Sequence, residues 1–333
     1  MHANHVTERT NVSSQYVEEE GLNGNWRETE LAYAMLPLLR MSLHHTIGLW
    51  SVAAPAIELK QTFFTRSEHS GEASTVQGVP LKRVGNATSM RYACAIAHHL
   101  APTPHQSPAI AAQLANCLQL ELARSREPFL QNVTVEATTT GFIHFDISDR
   151  AIAVWLNLVL ANVLLWQPLP TAPIDDLERS RIQQTSALFK VQHAHARCCS
   201  LLQLAHREAV ISLDSLEKPP SDWRFSNPEL PWLTSTDQLC FQHPIDRALL
   251  VQLFDAYDHL FDPHRSQTQG SVLRSAQGVA QAFESFHRAH SLWGRAREKS
   301  ALTLARLGLL MIVQRVLAAL LWHGLHVHPA IDL

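Results

Sequence analysis

Val191-Gln192-His193-Ala194-His195-Ala196-Arg197-Cys198-Cys199-Ser200 lies inside a run from about 175 to 211 whose apolar period is helical. On a helix, positions i and i+2 point to different faces, so His193 and His195 do not chelate one ion together, and packing is the plainer role for the pair. Working outward, the same period predicts helices over about 149–166, 243–261, 270–293 and 296–325. Pro168, Pro170 and Pro173 punctuate one join, and Pro219, Pro220, Pro228 and Pro231 mark a Pro-rich loop over about 216–235. Residues 149–333 thus read as an all-α bundle.

Upstream the pattern changes. Residues 1–27 are polar and aperiodic, a flexible extension by composition. A helical face runs from Glu28 to about Trp50, with Pro37 near its start, and residues 67–78 read as a loop. A short strand over Val79–Val84 is expected to lead through Gly85-Asn86 into a helix from about Ser89 to Leu100. A second helix is expected from Ser107, as N-cap before Pro108, to about Ser125. Two alternating runs, Phe129–Thr138 and Phe142–Ile147, flank a hairpin at Gly141. The fold class is therefore α+β: a small α/β unit over 28–148 followed by the helical bundle.

Composition bounds function loosely. The 333 residues have room for two domains, and 46% hydrophobic content supports real cores. A net charge of −3 does not describe a strongly basic nucleic-acid binder. The charge is uneven: residues 1–79 hold 5 Lys/Arg against 9 Asp/Glu, whereas 240–333 hold 9 against 7, plus 8 His. Cys94, Cys117, Cys198, Cys199 and Cys240 form no metal or redox spacing and read as free thiols. Glu18-Glu19-Glu20 argues against a transit peptide, and the apolar stretch Leu307–Trp322 carries Gln314 and Arg315. A buried core helix, no membrane association and a cytoplasmic setting are expected. Asp175-Asp176 and Glu178 suit a helix N-terminus, and no G-x-S-x-G elbow is present, so no catalytic residue, metal or cofactor is assigned.

Several segments resemble arginyl-tRNA synthetases. Gly85-Asn86-Ala87-Thr88, Ser107-Pro108 and Gly141-Phe142-Ile143-His144-Phe145 resemble, in order, motifs of that family's N-terminal domain. Val191–Arg197 resembles the entry helix of its anticodon-binding bundle, the DALR domain, close to Val-Gln-Tyr-Ala-His-Ala-Arg. Phe283-Glu284-Ser285-Phe286-His287 resembles the middle helix, and Arg306-Leu307-Gly308-Leu309, Val316-Leu317, Gly324-Leu325 and Pro329 its end. The resemblance implies an RNA-binding surface containing His193, His195, Arg197, Phe286, His287, Arg306, Phe142 and His144. For Arg306, pairing at the edge of the core is the competing reading.

The departures matter as much. The family's ATP-binding His-x-Gly-His turn and its Lys-Met-Ser-Lys-type loop do not occur; His69-Ser70-Gly71-Glu72 and Lys299-Ser300, which reads as helix interior, are the nearest approaches. Residues 149–185 read as helix and Pro-rich join and leave no room for the several βαβ units, ~30 residues each, of a nucleotide-binding domain. His193, Glu284 and His287 stand where the family carries Tyr, Asn and Tyr, and Glu284 would repel phosphate. The expected partner is tRNA or another structured RNA rather than DNA, held without catalysis. The alternative is a module that has lost RNA binding and holds a protein partner.

Overall fold

A computed structural model describes residues 34–53, 79–85, 90–161, 186–214, 216–226, 230–261, 268–290 and 300–332. The expected extension (1–27), the loop at 67–78, the three prolines at 168–173 and the acidic pair at 175–176 lie outside the described residues.

Helix α1 spans Met35–Ala53. Pro37 falls in its first turn, where its missing N–H would have no intrahelical partner anyway, so the helix continues through it. Strand β1 (Leu81–Val84) turns at Gly85, whose φ of +103° suits glycine, and returns as β2 (Arg91–Cys94) in antiparallel register. The helix expected from Ser89 therefore begins only at α2, Ile96–Leu100. Burial alternates along β2: Tyr92 and Cys94 face the core and Arg91 faces solvent, a period of two that overrides the Ala-rich local composition.

Helix α3 spans Ser107–Ala123, but Ser107 is not its cap. Thr103 and Gln106 form a capping box one turn earlier, around a 3-10 turn at Pro104–Gln106. Ser107 is instead buried under Gly141, where an added Cβ would come 2.8 Å from its own Cβ; Gly141 also has φ +89°. Strands β3 (Val133–Ala137) and β4 (Ile143–Ile147) complete an antiparallel sheet in the order β1-β2-β4-β3. The Gln119 amide of α3 bonds both Val133 C=O and Val135 N–H, satisfying the open edge of β3.

The rest is helical: α4 (Asp149–Ala161), α5 (Ser186–Arg207), α6 (Pro244–Phe261), α7 (Gln269–Ala289) and α8 (Ala301–Ala319), which ends in a π turn at Leu320–Gly324. Asp149, in the first turn of α4, takes Arg247 in a bidentate pair at 2.6 and 2.8 Å and the Leu239 N–H at 2.9 Å. Ser300 is the N-cap of α8, accepting from Thr303 N–H, rather than a residue inside a helix as expected. Leu307 to Leu321 are buried on every side, so α8 is the bundle's central rod. It is long and apolar enough to cross a bilayer by composition, but 83% of that window is buried in the protein.

The Pro-rich stretch is more structured than a loop. β5 (Leu213–Asp214) pairs with β6 (Arg224–Phe225), Pro220–Asp222 forms a 3-10 turn, and Trp223 and Trp232 sink into the core. Buried Arg315 donates to the carbonyls of Trp223 and Leu160, tying this segment to α8 and α4.

The two units share one core. Asp258 of α6 accepts the Leu36 N–H of α1 at 3.0 Å and the Tyr92 hydroxyl of β2 at 2.8 Å, while Arg83 of β1 clasps Asp255 with two bonds of 2.8 Å. One cluster of buried apolar residues extends from Ala34 to Leu325.

Candidate nucleic-acid interface

Helices α5 and α7 pack side by side in the same sense, with His193 facing Glu284 and Arg197 facing His287. The outer positions of α5 recur every four residues as Phe189, His193 and Arg197, all exposed. Opposite them on α7 lie Gln277, Gln281 and Glu284, then His287 and exposed Arg288. Between the helices runs a groove of about 530 Å³ lined by Phe189, Lys190, His193, Gln277, Ala280, Gln281 and Glu284. Phe189 is 60% exposed, and its ring lies roughly parallel to His193, with centroids 6.3 Å apart.

The Arg197 guanidinium sits 3.4 Å from His287 Nε2; arginine has only donors, so the imidazole accepts there. Burial, then the Arg197 charge, hold His287 below its ordinary pKa. His193 Nδ1 and Glu284 Oε1 are 3.8 Å apart, an ion-pair distance too long for a hydrogen bond. The seam thus carries flat rings, two amides, one carboxylate and the cations Lys190, Arg197 and Arg288.

Five of the eight expected site residues are not on this surface, three of them in the bundle itself. His195 is 1% exposed: Nδ1–H donates to the Ala330 carbonyl at 2.7 Å, and Nε2 accepts from the Gln314 amide at 2.9 Å. Burial lowers its pKa to about 4, so it is neutral and packs the C-terminal tail onto α5. Gln192 holds the same tail through His328 C=O and Ala330 N–H. Five of the seven residues of the Val191–Arg197 segment are therefore committed to the core and the tail, and only His193 and Arg197 face outward. Phe286 is fully buried. Arg306 donates to Asp246, a fully buried carboxylate that also meets His290 Nε2 at 2.6 Å. Burial keeps His290 below its ordinary pKa against the pull of Asp246. Arg306 is thus the paired, core-edge arginine rather than a phosphate contact.

Phe142 and His144 lie in the other unit. Phe142 is exposed, edge-on to His98 with centroids 4.9 Å apart, and His144 is half-buried on β4 opposite Ala93 and Glu136. Neither belongs to the α5–α7 groove. All five cysteines are free; burial pushes Cys94 and Cys199 up to about 12 and Cys198 well above its ordinary value, leaving these thiols inert. Among the described residues no His, Cys, Asp or Glu cluster is arranged to hold a metal.

The fold defines an α+β protein whose helical bundle presents an exposed ring-bearing, cation-bearing seam beside a small antiparallel-sheet unit. The chain is 27% identical over 190 residues to an arginine–tRNA ligase from Synechococcus sp. (strain JA-3-3Ab). That match covers 56% of this chain and 29% of the relative's length. The relationship is arginyl-tRNA synthetase-like and distant. No family model matches the chain, and no solved structure does.

Proposed function

We propose that this chain is a non-catalytic, cytoplasmic relative of arginyl-tRNA synthetases that binds tRNA or a tRNA-like RNA through the α5–α7 seam. The observation that carries this reading is the seam itself: His193, Arg197 and His287, all within segments that resemble the family's anticodon-binding bundle, meet on one exposed face with Lys190, Arg288 and Phe189. Rings of this kind stack on unpaired bases, and the cations suit phosphates. The non-catalytic part rests on the sequence, which carries neither of the family's two ATP-handling motifs.

The test is fluorescence anisotropy with a labelled tRNA transcript across a salt series. Affinity should fall steeply as salt rises, because phosphate contacts release counterions. Arg197→Glu should weaken binding about tenfold or more at low salt, since it reverses a charge at the seam. Arg197 is exposed, so the melting temperature should hold. RNA-free protein that binds no transcript and instead purifies with a stoichiometric protein would replace this reading with a protein-docking one. Arginine-dependent ATP–pyrophosphate exchange above background would overturn the non-catalytic part.

A further inference from the structure

Glu284 is out of place in a seam built for phosphate alone, yet it stands in the groove wall with its carboxylate half exposed. A carboxylate only accepts hydrogen bonds. The facing ring nitrogen of His193 is 3.8 Å away, too far to hydrogen-bond it, so its lone pairs are open to the groove.

The four bases differ in what they offer such a group. Guanine presents two neighbouring donors, N1–H and the N2 amino group, spaced to meet both carboxylate oxygens. Adenine and cytosine place a ring acceptor beside their one amino group, and uracil flanks its one N–H with two carbonyls. Each of those three turns a lone pair toward the carboxylate. In a duplex guanine's donors are used in pairing, so the base must be unpaired.

We propose that the α5–α7 groove holds one unpaired guanine of a bound RNA, read by Glu284; this rests on the RNA-binding reading above. The rest of the lining fits that occupant. Phe189 and His193 offer nearly parallel rings for stacking, at an interplanar angle of 30°. Gln277 and Gln281, one helical turn apart on α7, carry amide donors for guanine O6 and N7, and Lys190 adds a cation on the same side as Phe189. The groove, at about 530 Å³, lies within the usual range for small-molecule sites.

The experiment uses the full chain at low salt with labelled pentaribonucleotides of uridine carrying G, A, C, U or inosine at the centre, beside a labelled tRNA transcript. The guanine pentamer should bind about tenfold tighter than the other three standard bases, the scale of a good bidentate contact. Inosine, which lacks the N2 amino group, should fall between. Glu284→Gln keeps the size of the side chain but replaces one acceptor with a donor, and should abolish the guanine preference. Phe189→Ala should weaken all pentamers alike. Equal affinity for all four bases, or a guanine preference that survives Glu284→Gln, overturns the assignment while leaving tRNA binding intact. Binding of the transcript without any pentamer binding also overturns it. If neither transcript nor pentamer binds, the RNA-binding reading itself fails.

Discussion

At the scale of single residues, His195 sets a pH limit on the fold. Its Nδ1–H is spent on Ala330 and its bare Nε2 on the Gln314 amide, so a second proton would place a charge in a site only 1% exposed. Its folded pKa of about 4 lies below the ordinary value near 6.5. The unfolded chain therefore takes up the proton first as pH falls. The stabilisation is fully present above pH ~6.5 and is lost as pH drops toward 4. Its size is on the order of 3 kcal/mol, at 1.36 kcal/mol per pKa unit. Melts followed by circular dichroism at pH 7.5, 6 and 5 should therefore show the parent losing stability. His195→Gln, which does not titrate, should start lower and lose less over the same interval. Parallel losses would assign the acid sensitivity to other groups, His287 and His290 first among them. Sequence parity alone separates His193 from His195, since i and i+2 cannot share a face. Which of the two turns inward depends on where Gln314 and Ala330 pack, and no local pattern carries that.

Elements divide according to how their hydrogen bonds are made. The long helices are legible because their period repeats over many residues and their bonds are local. Strand β2 is not, since Arg91-Tyr92-Ala93-Cys94 gains its form from β1 on one side and β4 on the other. The two-residue β5–β6 ladder is shorter than any periodic signal. The seam was half legible: His193, Arg197 and His287 stand in the recognisable segments. Phe189, Gln277, Gln281 and Arg288 enter only once the relative phase of α5 and α7 is known. The four-residue step back from His193 to Phe189 was the available clue. Gly308 tests how α8 meets the Pro-rich segment. A Cβ there would lie 2.6 Å from Trp232 Cη2 and also crowd Leu230. Trp232 is itself fixed by a 2.7 Å bond from its indole N–H to Asn157. Gly308→Ala gains up to about 1 kcal/mol in helix propensity but should lose more to overpacking, typically about 1–3 kcal/mol. A net fall in the urea midpoint at unchanged slope is the expected reading. A rise would mean that the Trp232 segment moves aside freely.

For the whole molecule, the change in hydrophobic period near residue 148 marks a change of architecture but not a break in the core. Asp255 and Asp258, one turn apart on α6, reach back to β1, β2 and α1. Trp155 of α4 stacks on Phe254 of α6 at 3.8 Å. Sequence spacing gives no hint of these links, because each joins residues more than ninety positions apart. They predict that sheet and bundle unfold together, so far-UV circular dichroism and tryptophan fluorescence should trace one urea transition. Asp258→Ala is the decisive variant. It leaves the buried Tyr92 hydroxyl and the Leu36 N–H without their acceptor, each a loss of about 1–3 kcal/mol. The shared apolar cluster remains, so the transition should move to lower urea as a single step seen by both probes. If the two probes instead separate, the polar links rather than the common core are what make the two units one cooperative body.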